Sequence, residues 1–156
     1  MSRVVKAKDA VVAQDLQKTY GAGESQVTAL NNASIRVGVS KFLAIMGPSG
    51  SGKSTLMQCL AGLDSIDSGN IKIGGIDITS LNDRDLTRLR REHVGFIFQH
   101  FNLVSTLTAE QNIMLPMKLA KRQVDQELFN NVVERLGIKS RLSHKPHEMS
   151  GGQQQR

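Results

Sequence analysis

The run Gly47-Pro48-Ser49-Gly50-Ser51-Gly52-Lys53-Ser54-Thr55 fills the spacing G-x-x-x-x-G-K-[ST]. The chemistry open to such a run is the holding of phosphate. A nucleoside triphosphate crowds several negative charges together, and they must be met without bulky side chains in the way. Glycines let the backbone wrap the phosphates with successive N–H groups turned inward. A helix opening at the loop adds the positive end of its dipole. Lys53 is placed to meet the β- and γ-phosphates, and the Ser54 hydroxyl to ligate Mg²⁺. A nucleoside triphosphate and Mg²⁺ are the ligands this pattern implies.

Such a loop is ordinarily set between a strand and a helix. Phe42-Leu43-Ala44-Ile45-Met46 ahead of it predicts a buried strand, and Ser54 to Ala61 predicts a helix stopped by Gly62. Further upstream, Val11 to Tyr20 reads as a strand, Gly21 to Ser25 as a turn and Val27 to Val37 as a second strand. An antiparallel subdomain therefore precedes the nucleotide site. Asp67-Ser68-Gly69 breaks the chain before a short strand, Asn70 to Ile73, with Gly74-Gly75 as its turn. Asn82 or Asp83 can cap a helix through Arg91, and Val94 to Phe98 predicts another apolar strand, ending at Gln99. Thr108-Ala109-Glu110-Gln111 has capping-box spacing and opens a helix that reaches Pro116 or shortly beyond. Leu128, Val132 and Leu136 recur every fourth residue with Phe129 and Val133 beside them, an amphipathic helix closed by Gly137. Core packing accounts for Leu128 and Leu136 on this reading.

Composition narrows the class. The 156 residues suit one α/β domain or part of one, with 39% hydrophobic residues and no apolar run approaching a membrane span. No apolar signal segment follows the start Met1-Ser2-Arg3-Val4-Val5-Lys6. Cys59, the only cysteine, lies on the apolar side of the helix after the loop and reads as a buried free thiol in the cytoplasm. The net charge of +6 comes from scattered basic residues, densest from Arg84 to Arg91 among Asp85 and Glu92, a solvated face. Aromatics are 4% with no basic–aromatic interleaving, so no nucleic-acid partner is expected. His100, His144 and His147 lack metal-ligand spacing and read as solvated or capping residues.

A phosphate loop alone leaves many families open, and the tail chooses among them. Glu148-Met149-Ser150-Gly151-Gly152-Gln153-Gln154-Gln155-Arg156 resembles the signature L-S-G-G-Q-x-Q-R of ABC-type ATPases, with Met149 a near-isosteric replacement for Leu. Gln99 matches the family's Q-loop glutamine, and Tyr20 sits where the family places an aromatic against adenine. Val27 can flank adenine in the family, while as a strand valine it reads as core. Gly95 to Leu103 and Thr106 to Ile113 resemble the ATPases of lipoprotein-release and macrolide-export transporters, as do Gly62-Leu63-Asp64 and Asp67-Ser68-Gly69. The resemblance covers Val11 to Arg156.

It implies an α/β fold: a P-loop NTPase (ABC ATPase) core with an N-terminal antiparallel β subdomain and an α-helical subdomain. Residues 1–98 would form the β subdomain and P-loop core, 99–142 the helical subdomain, and 143–156 the signature. Tyr20, the loop from Gly47 to Thr55, and Gln99 would hold Mg-ATP, with Ser54 and Gln99 at the metal. Ser150, Gly151, Gly152 and Gln153 would meet the nucleotide of a second copy, so a homodimer is implied. A membrane permease subunit is the further partner, with Phe101-Asn102-Leu103 the better candidates for touching it. The protein would lie peripherally on the inner face of the cell membrane.

In the family an apolar strand ending in Asp, an adjacent catalytic Glu and a switch His follow the signature. These 156 residues contain no run of four apolar residues ending in Asp-Glu. The expectation is a chain truncated after the signature, with the C-terminal part of the core sheet missing and no catalytic residue present. The resemblance then implies either a transporter ATP-binding subunit, coupling ATP binding and hydrolysis to export or to lipoprotein or peptide release, or a non-catalytic remnant that binds nucleotide at most. A P-loop kinase or GTPase is disfavoured, since no N-K-x-D run occurs. Phe42–Met46 and Val94–Phe98 would belong to one parallel sheet without being neighbours, and the isolated chain is expected to collapse them together or pack loosely.

Overall fold

The computed structural model describes residues 8–156. They fall into two compact units, one reaching to Gly95 and one spanning Phe96–Arg156.

The first unit is built on a four-stranded antiparallel sheet. Strand β1 (Asp9–Tyr20) pairs with β2 (Val27–Gly38) on one side and with β3 (Ser68–Ile73) on the other, and β3 pairs in turn with β4 (Ile76–Asp77). A helical turn at Gly23–Ser25 joins β1 to β2. Strict alternation along β1 would send Ala13 and Leu16 to opposite faces. The register instead slips between Ala13 and Leu16, around Asp15 with φ +51. That bulge inserts an extra residue, so Ala13, Leu16 and Lys18 all turn inward.

Helix α1 (Lys53–Leu60) and helix α2 (Asp83–His93) complete the core, in which Leu16, Cys59, Ile71, Ile78 and Leu89 are buried together. Cys59 is a free, buried thiol, as its place on the helix predicts. Asn82 caps α2, its side chain accepting the Asp85 N–H at 3.0 Å. Arg90 of α2 donates to the Gly62 carbonyl at 3.1 Å, placing a cation at the C-terminal end of α1, where the dipole favours it.

Two sequence expectations are corrected here. Phe42–Met46 is not a strand and is not buried: Phe42 is 94% exposed and Met46 87%. Val94–Phe98 is likewise not a strand, and Ile97 is 97% exposed. Apolar runs supply side chains suited to a buried strand, but a strand exists only through a ladder of hydrogen bonds to a neighbour. Among the described residues neither run has one, and the sheet that does form is wholly antiparallel.

The second unit is helical. Helix α3 (Ala109–Leu119) opens on the predicted capping box and runs through Pro116 to Leu119. Helix α4 (Gln126–Arg135) is capped by Asp125, and helix α5 (Gly151–Gln155) by Ser150. Phe129, Val133 and Ile138 form the small core, with Met114, Val124 and Leu142 against it. The core role expected of Leu128 and Leu136 is therefore corrected: Leu128 is 60% exposed and Leu136 half-exposed. Two apolar stripes run side by side on this helix, and the buried one is the stripe that Ile138 extends.

Candidate nucleotide-binding site

The phosphate loop lies exposed between the irregular run Phe42–Met46 and α1. Its glycines hold backbone that L side chains rarely adopt, with φ +80 at Gly50 and φ +81 at Gly52. Gly52 is also the residue from which α1 starts, and a Cβ there would collide with the Ala29 carbonyl oxygen of β2. The first helical bond of α1 runs from Leu56 N–H to the Gly52 carbonyl at 2.8 Å. The N–H groups of Lys53, Ser54 and Thr55 precede it and have no intrahelical acceptor. No side chain caps this end.

Helix α3 shows what a satisfied N-terminus looks like. Its first N–H groups go to the His144 carbonyl (2.8 Å), the Leu142 carbonyl (3.0 Å) and the Thr108 hydroxyl (3.2 Å). The start of α1 has donors and a positive dipole end left over, and that fits an anion. Lys53 supports the same reading. Its ammonium curls back over the loop, donating to the Pro48 carbonyl at 2.6 Å and to Ser51 Oγ at 3.3 Å. Ser54 stands exposed in the first turn beside it.

Tyr20 ends β1, 40% exposed, and faces Val27 across the ladder. Val27 is 61% exposed, which corrects its reading as core. The Tyr20 hydroxyl donates to Asp64 Oδ2 at 2.6 Å, and Lys18 Nζ donates to Asp64 Oδ1 at 3.0 Å. Lys18, only 7% exposed, also lies 5.0 Å from the Tyr20 ring centroid. The hydrogen bond from Tyr20, then those from Lys18 and Ser65, hold the Asp64 carboxyl below its usual range against the opposing effect of burial. The bond to Asp64 raises the Tyr20 phenol, with burial adding to it and the Thr55 side chain pulling the other way. The Lys18 ammonium is raised chiefly by its hydrogen bond to Asp64. The resemblance singles out Tyr20 but not its partners Lys18 and Asp64, because only the Asp15 bulge turns Lys18 inward.

The remaining predicted residues lie in the second unit. Gln99 and Phe101 are exposed in an irregular segment, and Asn102 takes φ +49. Asn112 of α3 pins the loop that follows, accepting the Val104 N–H at 2.8 Å and donating to the Val104, Leu107 and Thr108 carbonyls. In the signature, Ser150 and Gln153 form a reciprocal capping box, with Ser150 N–H donating to Gln153 Oε1 at 3.0 Å. Gln154 Nε2 donates to the Pro146 and Met149 carbonyls at 2.8 and 3.0 Å, and Met149 is buried. Gly151 and Gly152 are exposed at the start of α5. Among the described residues no group of three His, Cys, Asp or Glu could hold a metal ion.

An antiparallel β unit carrying a phosphate loop, with a separate helical unit ending in a serine-capped Gly-Gly-Gln turn, defines a nucleotide-binding cassette. The family model described as ABC transporter matches residues 30–156, and the chain belongs to that family as an ATP-binding domain. It is 42% identical over 146 residues to the bacitracin export ATP-binding protein BceA of Halalkalibacterium halodurans, covering 92% of this chain and 58% of that protein. It is 43% identical over 145 residues to the macrolide export ATP-binding/permease protein MacB of Escherichia coli K12, covering 92% of this chain and 22% of MacB. Among solved structures it resembles the ATP-binding cassette MJ0796 in a dimeric post-hydrolysis state bound to ADP and Pi. The TM-score is 0.82 at 38% identity, over 92% of this chain and 65% of that one. A second dimeric structure of MJ0796 gives a TM-score of 0.83. The chain thus spans less than two thirds of these relatives. Its fold is the α/β fold of those cassettes. No helix among the described residues is long and apolar enough to cross a membrane.

Proposed function

We propose that this chain is the ATP-binding part of an export-type transporter, holding Mg-ATP on its phosphate loop and passing the effect of binding to a membrane permease. The observation that carries the proposal is the start of α1: uncapped N–H groups of Lys53, Ser54 and Thr55 behind a glycine loop, with the Lys53 ammonium folded over it. Backbone from Gly47 to Gly52, including Pro48, Ser49, Gly50 and Ser51, would cradle the phosphates. Lys53 would leave its Pro48 carbonyl contact for phosphate oxygens of higher charge. Ser54 would hold Mg²⁺, which when bound neutralises charge developing on the phosphates; Gln99 is the second metal-binding residue that the family resemblance implies. Tyr20 would take the base on its ring, with Val27 beside it.

The names of BceA and MacB support export as the task, and the dimeric MJ0796 structures support pairing of two copies. In such a pair, Ser150, Gly151, Gly152 and Gln153 would face the partner's nucleotide, and the permease would keep the chain at the inner face of the membrane. Phe101, Asn102 and Leu103 stand in an irregular segment suited to permease contact. The residue roles assigned here are those of binding.

The test is titration of Mg-ATP against the native chain and Lys53→Ala. Loss of a charge-assisted contact of about 1.5–3 kcal/mol should weaken binding at least about tenfold. Superimposable titration curves would remove the basis for the proposal.

A further inference from the structure

The Lys18–Asp64–Tyr20 triad meets the end of the phosphate-loop run at Thr55, whose side chain acts on the Tyr20 phenol, and none of the roles assigned above uses Lys18 or Asp64. Tyrosine at a strand end has free torsions about two side-chain bonds, and a ring meant to carry a base would have to be frozen from them on binding. Here the ring is already fixed. Its hydroxyl donates to Asp64 Oδ2 at 2.6 Å, in the short range of an O–H donor to a charged carboxylate.

Asp64 is itself immobilised. Its Oδ1 accepts from Lys18 Nζ at 3.0 Å and from the Ser65 N–H at 2.8 Å. Lys18 is buried, and a buried ammonium needs its counter-charge, so Asp64 cannot swing away without stranding it. The backbone adds a further hold, with the Leu63 N–H donating to the Gln58 carbonyl of α1 at 2.8 Å and the Asp64 N–H to the same carbonyl at 3.4 Å. The triad thereby ties the ring of Tyr20 to the helix whose first turn presents the phosphate donors. Lys18 also occupies one face of the ring, 5.0 Å from its centroid, while the residue as a whole keeps 40% of its surface exposed.

We propose that Asp64 is a positioning residue for nucleotide binding: held by buried Lys18, it fixes the Tyr20 ring at a set orientation to α1, so that base and phosphates are received in one preorganised geometry. This rests on the reading of Tyr20 as the base platform. The ligand chemistry it serves is the aromatic base of a nucleotide, not the phosphates. Freeing one ordered side chain should cost about 2- to 12-fold in affinity for a base-bearing ligand.

The experiment compares Mg-ATP with Mg-tripolyphosphate, which has no base, across the native chain, Tyr20→Ala, Tyr20→Phe and Asp64→Asn. Tyr20→Phe removes the tether but keeps the ring and leaves the Lys18–Asp64 pair intact. The expected result is an ATP-to-tripolyphosphate affinity ratio lowered by Tyr20→Phe and by Asp64→Asn about 2- to 12-fold, and further by Tyr20→Ala. Tyr20 is the only tyrosine and there is no tryptophan, so phenolate absorbance reports this one group. It should titrate above the ordinary phenol range in the native chain and move down in Asp64→Asn. If Tyr20→Ala lowers the ratio but Tyr20→Phe does not, the tether is refuted and the base platform stands. If Tyr20→Ala leaves the ratio unchanged, the platform fails and the tether with it. A phenolate that titrates alike in native and Asp64→Asn chains also overturns the proposal.

Discussion

Gly50 and Gly52 hold nearly the same backbone, and their alanine variants should differ sharply. Both lie in the left-handed region, at φ +80 and φ +81. Placing an L side chain there costs about 1–2 kcal/mol at either position. At Gly50 the cost ends there, since an added Cβ meets nothing within 4 Å. At Gly52 the added Cβ drives into the Ala29 carbonyl oxygen, with the Ala29 carbonyl carbon and Leu30 Cδ2 each at 3.4 Å. Those are backbone and core atoms of β2 and cannot rotate aside, so α1 must shift from the sheet. Overpacking of this kind adds about 1–3 kcal/mol. Gly52→Ala should therefore lose about 2–5 kcal/mol, against the 5–15 kcal/mol typical of a whole domain. The assay is urea unfolding followed by Tyr20 emission, which reports the unit that contains the loop. Gly52→Ala should unfold at clearly lower urea than Gly50→Ala, with the gap equal to the Ala29 overlap. Coincident midpoints would refute the close approach of α1 to β2, and with it the account of why that position is glycine.

Other outcomes follow from the same geometry. Thr108→Ala removes the hydroxyl that caps α3 and should cost about 0.5–2 kcal/mol, read as faster amide exchange at Gln111 and its neighbours. Lys18 and Tyr20 are both held above their ordinary values, so the stability they contribute is complete below their unfolded values and drains away as pH rises through the folded ones. Urea midpoints should accordingly fall above about pH 10, less so in Asp64→Asn. Asp64 is held below its ordinary value, so its share is complete above that value and should be lost progressively as pH falls below about 4 and through the lower folded value.

What could be read from sequence was what is settled within a few residues. The phosphate loop is a fixed spacing, and the Thr108–Gln111 and Ser150–Gln153 boxes each close on themselves. What escaped was decided at a distance. Phe42–Met46 has strand-forming side chains, but pairing is a property of two segments. Alternation along β1 is a rule about faces, and the Asp15 bulge resets it, which turns Lys18 inward with Ala13 and Leu16. On α4 the sequence shows two adjacent apolar stripes, and only Ile138, past the helix end, tells which one is buried.

One local irregularity does point to function, and it is visible by comparison within the chain. Of the helices α1 to α5, four begin with a side chain that accepts a backbone N–H: Asn82, Thr108, Asp125 and Ser150. Only α1 begins on a left-handed glycine with no side-chain cap. Since a cap typically contributes about 1 kcal/mol, a helix that lacks one has given up stability that the other helices keep. Capping α1 would need a side chain at Gly52, and the Ala29 carbonyl stands in its way; it would also consume one of the donors that an anion could take. The departure from ordinary capping thus falls where phosphate binding requires free N–H groups. A capping rule that the other four α-helices obey marks α1 as the place where it fails.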